Sequence, residues 1–474
     1  MGKMGKMGKM NWTEDRFLNR SNLVSFGFIT LFLHVLVSVQ FYFFEARWLF
    51  VIDCVCLGLL GFAAVLYFAR EQQPLRVQPA QTILCAFFLW YIISCLSMTV
   101  TYNNDWVNYN AEAMRYTAVS LFLAFPLGYV AIREKKNAVG EILLHTALLA
   151  WTVFMLFILI NAFMGRNIPL PNGGSIYMKE GSLWMNAHRN TTGAWEMVFF
   201  LGCSFMAFFS KKRWVKAIYI IASVIHYVGL TFSNSRASIL ATMAGFAAMT
   251  GIYIYLRLEK KNTKHRLLIA VGAGLVAGAA FYYLRTITVY PLYSAAIGTK
   301  ESGRTIINTS DTSFSGRTKI WGWAISGITS SFRTFMFGVT PPSIPELISQ
   351  ISGKPFTETW THNEFLEIAA GIGVPGMCMF IALLVILAID IWKMYFIRKE
   401  KSMMLCIPVM FLVLLAANMM ESYLLFYNYL GGYMFFLLGG MLHGYVNGPA
   451  RPFRIPEKLR LGKARKNARM SGQA

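Results

Sequence analysis

The chain has 474 residues, of which 56% are hydrophobic and only 14% charged, and its formal net charge is +22. A soluble globular protein of this composition would have too little polar surface to stay dissolved, so that class is excluded. The seven cysteines fall in or beside apolar runs and are interpreted as core residues rather than metal ligands. We therefore expect a polytopic membrane protein.

Apolar runs recur along the whole chain, each near the ~20 residues that a helix needs to cross the hydrocarbon core. They predict transmembrane helices at residues 22–44, 47–69, 80–100, 113–132, 140–163, 191–210, 215–232, 236–256, 267–284, 374–392, 403–421 and 427–446. The first run is too long for the core of a signal peptide, so it should remain in the protein as a helix. The expected fold is an all-α polytopic membrane protein of about twelve transmembrane helices.

Lysine and arginine concentrate in every second loop, and this alternation predicts the orientation of the chain. The basic groups lie at residues 3–20, 70–76, 133–136, 211–216, 257–266, 393–401 and 451–469. The loops at residues 102–112 and 422–428 contain neither residue type. Because basic loops stay on the cytoplasmic side, both termini are predicted to be cytoplasmic. The basic ends are expected to lie against anionic membrane lipids, with no nucleic-acid partner.

Two long segments fall on the predicted external side, at residues 165–190 and 285–361, and a long ordered loop is usually functional. In the second segment, "GRTKIWGWAISGI" has apolar residues at helical spacing, which predicts an amphipathic helix on the membrane surface at residues 316–328. A short interfacial helix is predicted from Asn363 to about Gly373, before Pro375 opens the next span. The predicted division is a basic arm at 1–21, transmembrane helices at 22–284, an external loop at 285–361, the interfacial helix with three more transmembrane helices at 362–446, and a basic tail at 447–474.

Arginines collect at the predicted external rim of the membrane. Arg236 follows Ser235 in "LTFSNSRASIL", Arg189 and Asn190 stand in "NAHRNTTG", and Arg317 opens the loop helix. Arginine rarely enters the hydrocarbon edge without a partner, and its planar donor fork suits phosphate. Helix N-termini add partial positive charge at the same points. These residues predict a pyrophosphate site at the depth of the lipid headgroups.

His362 stands between the external loop and an apolar run, in "ETWTHNEFLEIAAGIGVPG". An imidazole changes its protonation state near neutral pH, so His362 is a candidate for acid/base chemistry beside Asn363 and Glu364. Glu364 and Glu367 lie three residues apart, which fits a solvated helix face as well as it fits acid/base work. A simpler alternative is that His362 is a helix cap or another polar residue with satisfied hydrogen bonds.

The arginines also have simpler explanations. Arg236 could extend its side chain towards lipid phosphates, and Arg317 could be the ordinary charge of an amphipathic helix. Asp53 and Glu196 fall near external helix ends and are expected to pair with the arginines.

Four stretches resemble one family of membrane enzymes. "TFSNSRASILA" looks like the "T-x-S-R-x-x-x-L-A" element of the O-antigen ligase and polymerase superfamily, and "GRTKIWGWAI" is similar to its "R-x-x-x-W" helix. "THNEFLEIAAGIGVPG" resembles its "H-N-x-x-L-x-x-x-x-x-x-G-x-x-G" element, and "NAHRNTTGA" its "N-x-x-A/G" junction before a helix. The resemblance covers roughly Gly165 to Val446, and all four elements face the predicted external side. Asn234 and Ser235 precede the arginine where family members often have Thr-Ser or Ser.

The resemblance implies a GT-C-like glycosyltransferase of the cell envelope that uses no metal, cofactor or nucleotide sugar. Family members move a glycan from undecaprenyl pyrophosphate to an acceptor hydroxyl on a glycan or lipid carrier, at the external face of the cytoplasmic membrane. The family's catalytic arginines fall on Arg236 and Arg317, and its histidine on His362. Arg189, Asn190, Ser235, Asn363 and Glu364 are then expected to bind substrate. Ligase and polymerase share the donor chemistry, so the sequence leaves both open.

A transporter or flippase for a lipid-linked or anionic substrate is the main alternative. A transporter is expected to place ionisable residues near the middle of the membrane, in broken helices. Here the middles of the predicted spans are almost wholly apolar, and the polar groups crowd one rim. A receptor or scaffold would not require arginines on three separate elements that face one side. The enzyme class is therefore favoured.

Overall fold

The computed structural model of the chain describes residues 20–43, 47–71, 78–98, 106–132, 138–171, 174–179, 182–185, 189–259, 262–289, 291, 316–356, 360–398, 400, 402–427 and 430–447. Most of the predicted basic arm and tail, and residues 292–315 of the predicted external loop, lie outside this range. The described chain is helical apart from one small sheet.

The first ten helices precede the second long segment, and a small sheet lies between the sixth and the seventh. They are α1 (Arg20–Phe43), α2 (Arg47–Glu71), α3 (Pro79–Met98), α4 (Trp106–Val119), α5 (Phe125–Ala131), α6 (Ala138–Phe163), α7 (Arg189–Phe209), α8 (Arg213–Ser233), α9 (Arg236–Arg257) and α10 (Thr263–Leu284). The remaining helices are α11 (Arg317–Ile328), α12 (Phe332–Phe337), α13 (Ile344–Ser352), α14 (Glu364–Trp392), α15 (Cys406–Asn418) and α16 (Leu430–Asn447). A π-helical segment, Ser120–Ala124, joins α4 to α5, and another, Arg285–Val289, follows α10.

Every predicted span overlaps a helix, but the predicted number of twelve is not confirmed. By length and composition, the described residues contain 8 helices able to cross a membrane. They lie at Pro79–Ser97, Asn110–Ala131, Val139–Phe163, Arg189–Phe209, Arg213–Ser233, Arg236–Arg257, Thr263–Leu284 and Glu364–Ile397. Shorter apolar helices lie at Asn22–Val37, Val51–Ala63 and Met403–Asn418. The protein is therefore a multi-pass membrane protein with an all-α transmembrane region.

The Pro-, Gly- and Asn-rich segment before α7 contains a sheet that the sequence did not predict. Strands β1 (Ile168–Pro169), β2 (Ser175–Lys179) and β3 (Ser182–Met185) form an antiparallel sheet in that order. Ile176 of β2 pairs with Met185 of β3, and both side chains are buried against the ends of the helices. Strand alternation therefore turns one face of the hairpin into the core.

Helix α11 lies where the sequence predicted a loop helix, but its apolar face is not free to lie on lipid. Ala324 and Ile328 are buried, Ile328 belongs to a cluster with residues of α13 and α14, and Ile325 remains 51% exposed. The expected membrane-surface helix is thus largely packed on protein. The reason is that α13, absent from the predicted elements, covers the apolar face.

Helix α14 breaks at the glycine and proline that were predicted to separate two helices. Gly373 has a φ of 84° and a non-helical conformation, and Pro375 lacks the N–H that would bond to the Gly371 carbonyl. That carbonyl instead accepts from the Thr340 N–H at 2.8 Å. A Cβ on Gly373 would lie 2.0 Å from the Met336 carbonyl oxygen, so this approach requires glycine. The first half of α14, Glu364 to Gly373, is therefore a separate unit braced by the residues around Met336 and Thr340.

Buried histidine–carboxylate pairs link the helices. The pairs are His34 with Asp53 at 2.7 Å, His226 with Glu196 at 2.8 Å and His443 with Asp390 at 2.6 Å. The expectation that Asp53 and Glu196 pair with the arginines of the rim is wrong. Both carboxylates are fully buried within the bundle, where a histidine of a neighbouring helix reaches them. Asp53 also lies 3.7 Å from Arg115, an arginine that the prediction did not name.

Candidate functional site

One buried carboxylate joins three of the predicted site residues. Glu421, which is 1% exposed, accepts hydrogen bonds from Arg317 and from the Asn190 side-chain amide, the latter at 2.7 Å. Its second oxygen lies 2.9 Å from Nδ1 of His362. Arg317, Asn190 and His362 are distant in the sequence, so only the fold brings them together. We call Glu421 and these three residues the Glu421 cluster.

The Glu421 cluster forms where four helix ends meet. Asn190 lies in the first turn of α7, Arg317 is the first residue of α11, and His362 precedes the first turn of α14. Glu421 follows the C-terminal end of α15. Three helix N-termini therefore surround one carboxylate, and each N-terminus carries partial positive charge. The same arrangement suits any anion of similar size.

The backbone and ring of His362 are held in a defined position. Its φ of 58° is unusual for a residue other than glycine and turns the chain from the loop into α14. Nδ1 of the ring lies 3.1 Å from the Trp360 indole nitrogen and 2.9 Å from Glu421. An Nδ1–H would donate to the Glu421 carboxylate, whereas an Nδ1 lone pair would accept from the indole N–H. The two contacts therefore correspond to two different tautomers of the neutral ring.

Asn363, not His362, caps helix α14. Its side-chain oxygen accepts from the backbone N–H groups of Phe365 at 3.0 Å and Leu366 at 3.2 Å. Its amide donates to the Met419 carbonyl at 3.1 Å, which ties the cap to the segment before Glu421. The simpler reading of His362 as the helix cap is therefore wrong, because the next residue occupies that role.

Glu364 and Glu367 are buried rather than solvated. Glu364 is 1% exposed and accepts from the backbone N–H of Leu424 at 3.1 Å. Glu367 accepts from the backbone N–H of Thr361 at 2.7 Å and from the Tyr427 hydroxyl at 2.6 Å. Glu364 thus fastens the last loop, residues 419–427, to the first half of α14. Glu367 fastens both that loop and the His362 segment to the same half. These contacts give Glu364 a positioning role, and direct substrate contact by Glu364 stays a prediction.

One face of helix α11 is turned towards protein over its whole length, and its first turns reach the site. Trp321, one turn after Arg317, donates its indole N–H to the Thr361 carbonyl at 3.1 Å. Ala324 and Ile328 continue the same face and are buried. The spacing of four, three and four residues explains why Arg317 points at Glu421. An arginine and a tryptophan at that spacing are the sequence signal for this contact.

Arg236 and Ser235 lie at the neighbouring turn. Ser235 precedes α9, is buried and donates to the Ser238 hydroxyl at 3.0 Å. A Cβ on Gly193, one turn after Asn190 in α7, would lie 2.4 Å from Ser235 Cβ, so the two helix starts are in direct contact. Arg236 is half-buried and forms no hydrogen bond or ion pair with the described residues. Arg189, the first residue of α7, is also half-buried.

The turn before Arg236 is fixed by contacts of Asn234 that the sequence did not predict. Asn234 has a φ of 50°, a conformation that asparagine tolerates better than most residues. Its side-chain oxygen accepts from Arg285 at 2.7 Å, and its amide donates to the Ser182 hydroxyl of β3 at 2.9 Å. Arg285 is 2% exposed and follows α10 directly. A basic residue at the external end of a predicted span was the available signal.

Glu421 is the main residue of the candidate site that the sequence did not indicate. It ends an apolar run and precedes a loop, residues 422–428, that contains no Lys or Arg. A carboxylate in that position has no basic neighbour in the sequence, and its partners come from three other segments. Within the described ranges, no group of three or more His, Cys, Asp or Glu side chains is arranged to hold a metal ion.

Part of the chain matches a known family. Residues 221–381 match the family model described as O-antigen ligase, a range that contains Arg236, Arg317 and His362 but ends before Glu421. A comparison with curated proteins finds no match to the chain. The match and the transmembrane helices together identify the chain as a multi-pass membrane protein with an O-antigen ligase domain.

Proposed function

We propose that the protein is a glycosyltransferase that moves a glycan from undecaprenyl pyrophosphate to an acceptor hydroxyl at the external face of the cytoplasmic membrane. The observation that carries the proposal is the Glu421 cluster, in which a cationic side chain, a histidine and a carboxylate meet at one end of the bundle. The O-antigen ligase domain supplies the reaction class. The basic loops at the opposite helix ends support the external orientation and cytoplasmic termini.

The reaction exchanges one bond at the anomeric carbon of the donor sugar. The acceptor oxygen forms a bond to that carbon as the bond to the pyrophosphate oxygen breaks, and the electron pair leaves with undecaprenyl pyrophosphate. Negative charge therefore grows on the pyrophosphate, while the acceptor hydroxyl must lose a proton. A catalyst needs fixed cations at the leaving group and a base near the acceptor.

Arg236 and Arg317 are proposed to bind the pyrophosphate. A guanidinium group offers two parallel N–H donors to a phosphate and stays charged at any physiological pH. The half-buried Arg236 begins α9, where the helix N-terminus adds to its charge. In this proposal the two arginines take the role that a metal ion has in other transferases. Arg189, Asn190 and Ser235 line the same helix ends and are proposed to contact the donor.

His362 is proposed to receive the acceptor proton. If Nδ1–H donates to Glu421, the lone pair of the neutral ring is on Nε2, which then acts as the base. The proton of the acceptor hydroxyl passes to Nε2 as the oxygen attacks. Asn363 and Glu364 hold the histidine segment in place through Met419 and Leu424.

The acceptor, a growing glycan or a lipid carrier, is the part of the proposal that separates a ligase from a polymerase. A deletion strain would be profiled for its surface polysaccharide. Loss of chain length would indicate a polymerase, and loss of attachment to a carrier would indicate a ligase. The same strain accumulates the lipid-linked donor, which can be isolated as the substrate for assays of the purified protein.

The proposal is tested by replacing Arg236 and, as a matched control, Arg257 at the other end of the same helix. In lipid nanodiscs with the isolated donor, Arg236→Ala should lower the transfer rate at least a hundredfold, because losing one contact that strengthens in the transition state costs ~3 kcal/mol. Arg257→Ala should transfer at the wild-type rate. Arg236→Lys should recover little, because an ammonium group lacks the two-donor fork. Full activity of folded Arg236→Ala would refute the proposed site.

A further inference from the structure

Glu421 receives hydrogen bonds from Arg317 and Asn190, two of the groups that the proposed function assigns to the donor pyrophosphate. We infer that Glu421 is an internal competitor of the donor: its carboxylate occupies the place of a phosphate in the free enzyme, and donor binding moves Arg317 and Asn190 from Glu421 to the pyrophosphate. This inference rests on the proposed function and assigns a role to Glu421, which lies outside the matched family range.

The first argument is the cost of leaving the arginine without an anion. The Arg317 side chain is 16% exposed and that of Glu421 2% exposed, so neither charge is well hydrated. A largely buried guanidinium without a counter-ion is strongly unfavourable. The free enzyme therefore needs an anion at this position before substrate arrives. Glu421 supplies that anion, and an arriving phosphate replaces one anion beside Arg317 with another.

The second argument is that the donors around Glu421 suit either anion. Arg317 and Asn190 both bind the same oxygen of Glu421, and each begins a helix whose N-terminus points to the carboxylate. Guanidinium groups bind carboxylates and phosphates with the same fork geometry. Arg317 and Asn190 can therefore bind any small anion that places an oxygen where the Glu421 oxygen lies, and not only a glutamate.

The third argument concerns His362, which binds the other oxygen of the same carboxylate. In the free enzyme Arg317 and Asn190 share the charge of Glu421, so the attraction of Glu421 for an Nδ1–H of His362 is weaker. When Arg317 and Asn190 move to the pyrophosphate, the full charge of Glu421 remains for Nδ1–H of His362. This favours the tautomer that bonds to Glu421 over the one that accepts from Trp360. Donor binding would then place the lone pair on Nε2, so the base is prepared only when a donor is present.

The test separates binding from turnover. Wild-type protein and Glu421→Gln are placed in lipid nanodiscs, and binding of undecaprenyl pyrophosphate is measured by calorimetry, with undecaprenol as the control without phosphate. Removing the competitor should strengthen undecaprenyl pyrophosphate binding about tenfold, the equivalent of 1.4 kcal/mol. Transfer should nevertheless slow about a hundredfold, because the base loses the group that orients it. Undecaprenol binding should stay unchanged.

Unchanged or weaker binding of undecaprenyl pyrophosphate by folded Glu421→Gln would overturn the inference and leave Glu421 as a structural clamp or a direct ligand. Should that variant not insert stably, Glu421→Asp withdraws the carboxylate by one methylene and keeps its charge. Its undecaprenyl pyrophosphate binding should also strengthen, and weakened binding would again overturn the inference. If the wild-type protein binds undecaprenyl pyrophosphate and undecaprenol equally well, the proposed function itself fails. Equal binding of undecaprenyl pyrophosphate by the wild-type protein and Glu421→Gln would instead overturn only the inference about Glu421.

Discussion

Gly193 offers a test of the site that changes no group with acid/base or phosphate chemistry. In Gly193→Ala, the added methyl carbon would lie 2.4 Å from Ser235 Cβ and 2.9 Å from the Ser233 hydroxyl oxygen. The first distance is about 1 Å shorter than ordinary carbon–carbon contact. Because both helices are packed on their other sides, the start of α7 must move away from the start of α9. Asn190 and Arg236, on the two sides of this contact, would separate by a similar amount.

A misplacement of about 1 Å at an active site can cost about a hundredfold in rate, whereas overpacking costs ~1–3 kcal/mol of stability. Gly193→Ala should therefore insert and fold, with a lower unfolding temperature. Its transfer rate should fall far more than the loss of stability alone would explain. Gly272→Ala is the matched control: Gly272 is also within a membrane helix, and a Cβ there meets nothing within 4 Å. That variant should be active and slightly more stable. A folded Gly193→Ala protein with the wild-type rate would show that the α7–α9 contact does not set the geometry of the site.

Two further predictions concern the base and the orientation. His362→Ala should abolish most transfer while leaving undecaprenyl pyrophosphate binding nearly intact. His362→Gln should keep a measurable rate only if His362 positions the acceptor rather than taking its proton. Full activity of His362→Ser would show that this residue is not part of the site. Ser330 is an exposed residue between α11 and α12. A Ser330→Cys variant without other reactive cysteines should be labelled in intact cells by a membrane-impermeant thiol reagent. Labelling only after lysis would show that the predicted topology is reversed.

The helices and the order of the site elements followed from the sequence because their causes are local. Apolar length identified where helices form, though not how many cross the membrane, and the spacing from Arg317 to Ile328 identified α11. Gly373 and Pro375 marked the break in α14, because one adopts a φ that other residues avoid and the other lacks an N–H. Arg236, Arg317 and His362 could be chosen as candidate site residues because ionisable residues at the ends of apolar runs are unusual.

What the sequence did not show depends on contacts between distant segments. The partner of Arg317 lies 104 residues further along the chain, in a different loop. The carboxylates predicted to pair with the arginines, Asp53 and Glu196, instead meet His34 and His226 inside the bundle. Hydropathy predicts where a helix lies in the sequence, but it does not predict which helix ends meet in the fold. The surface helix was misjudged for the same reason, since the cover supplied by α13 is a tertiary contact.

The shared carboxylate changes how variants of this site must be interpreted. Loss of Arg317 removes a proposed phosphate contact, but it also leaves Glu421 with His362 and Asn190 as its remaining partners in the Glu421 cluster. A fall in rate would then combine weaker donor binding with an altered tautomer of the base, so it does not measure the phosphate contact alone. Residues that share one partner are not additive. Arg236, which does not bind Glu421, is therefore the arginine whose replacement reports most directly on the pyrophosphate.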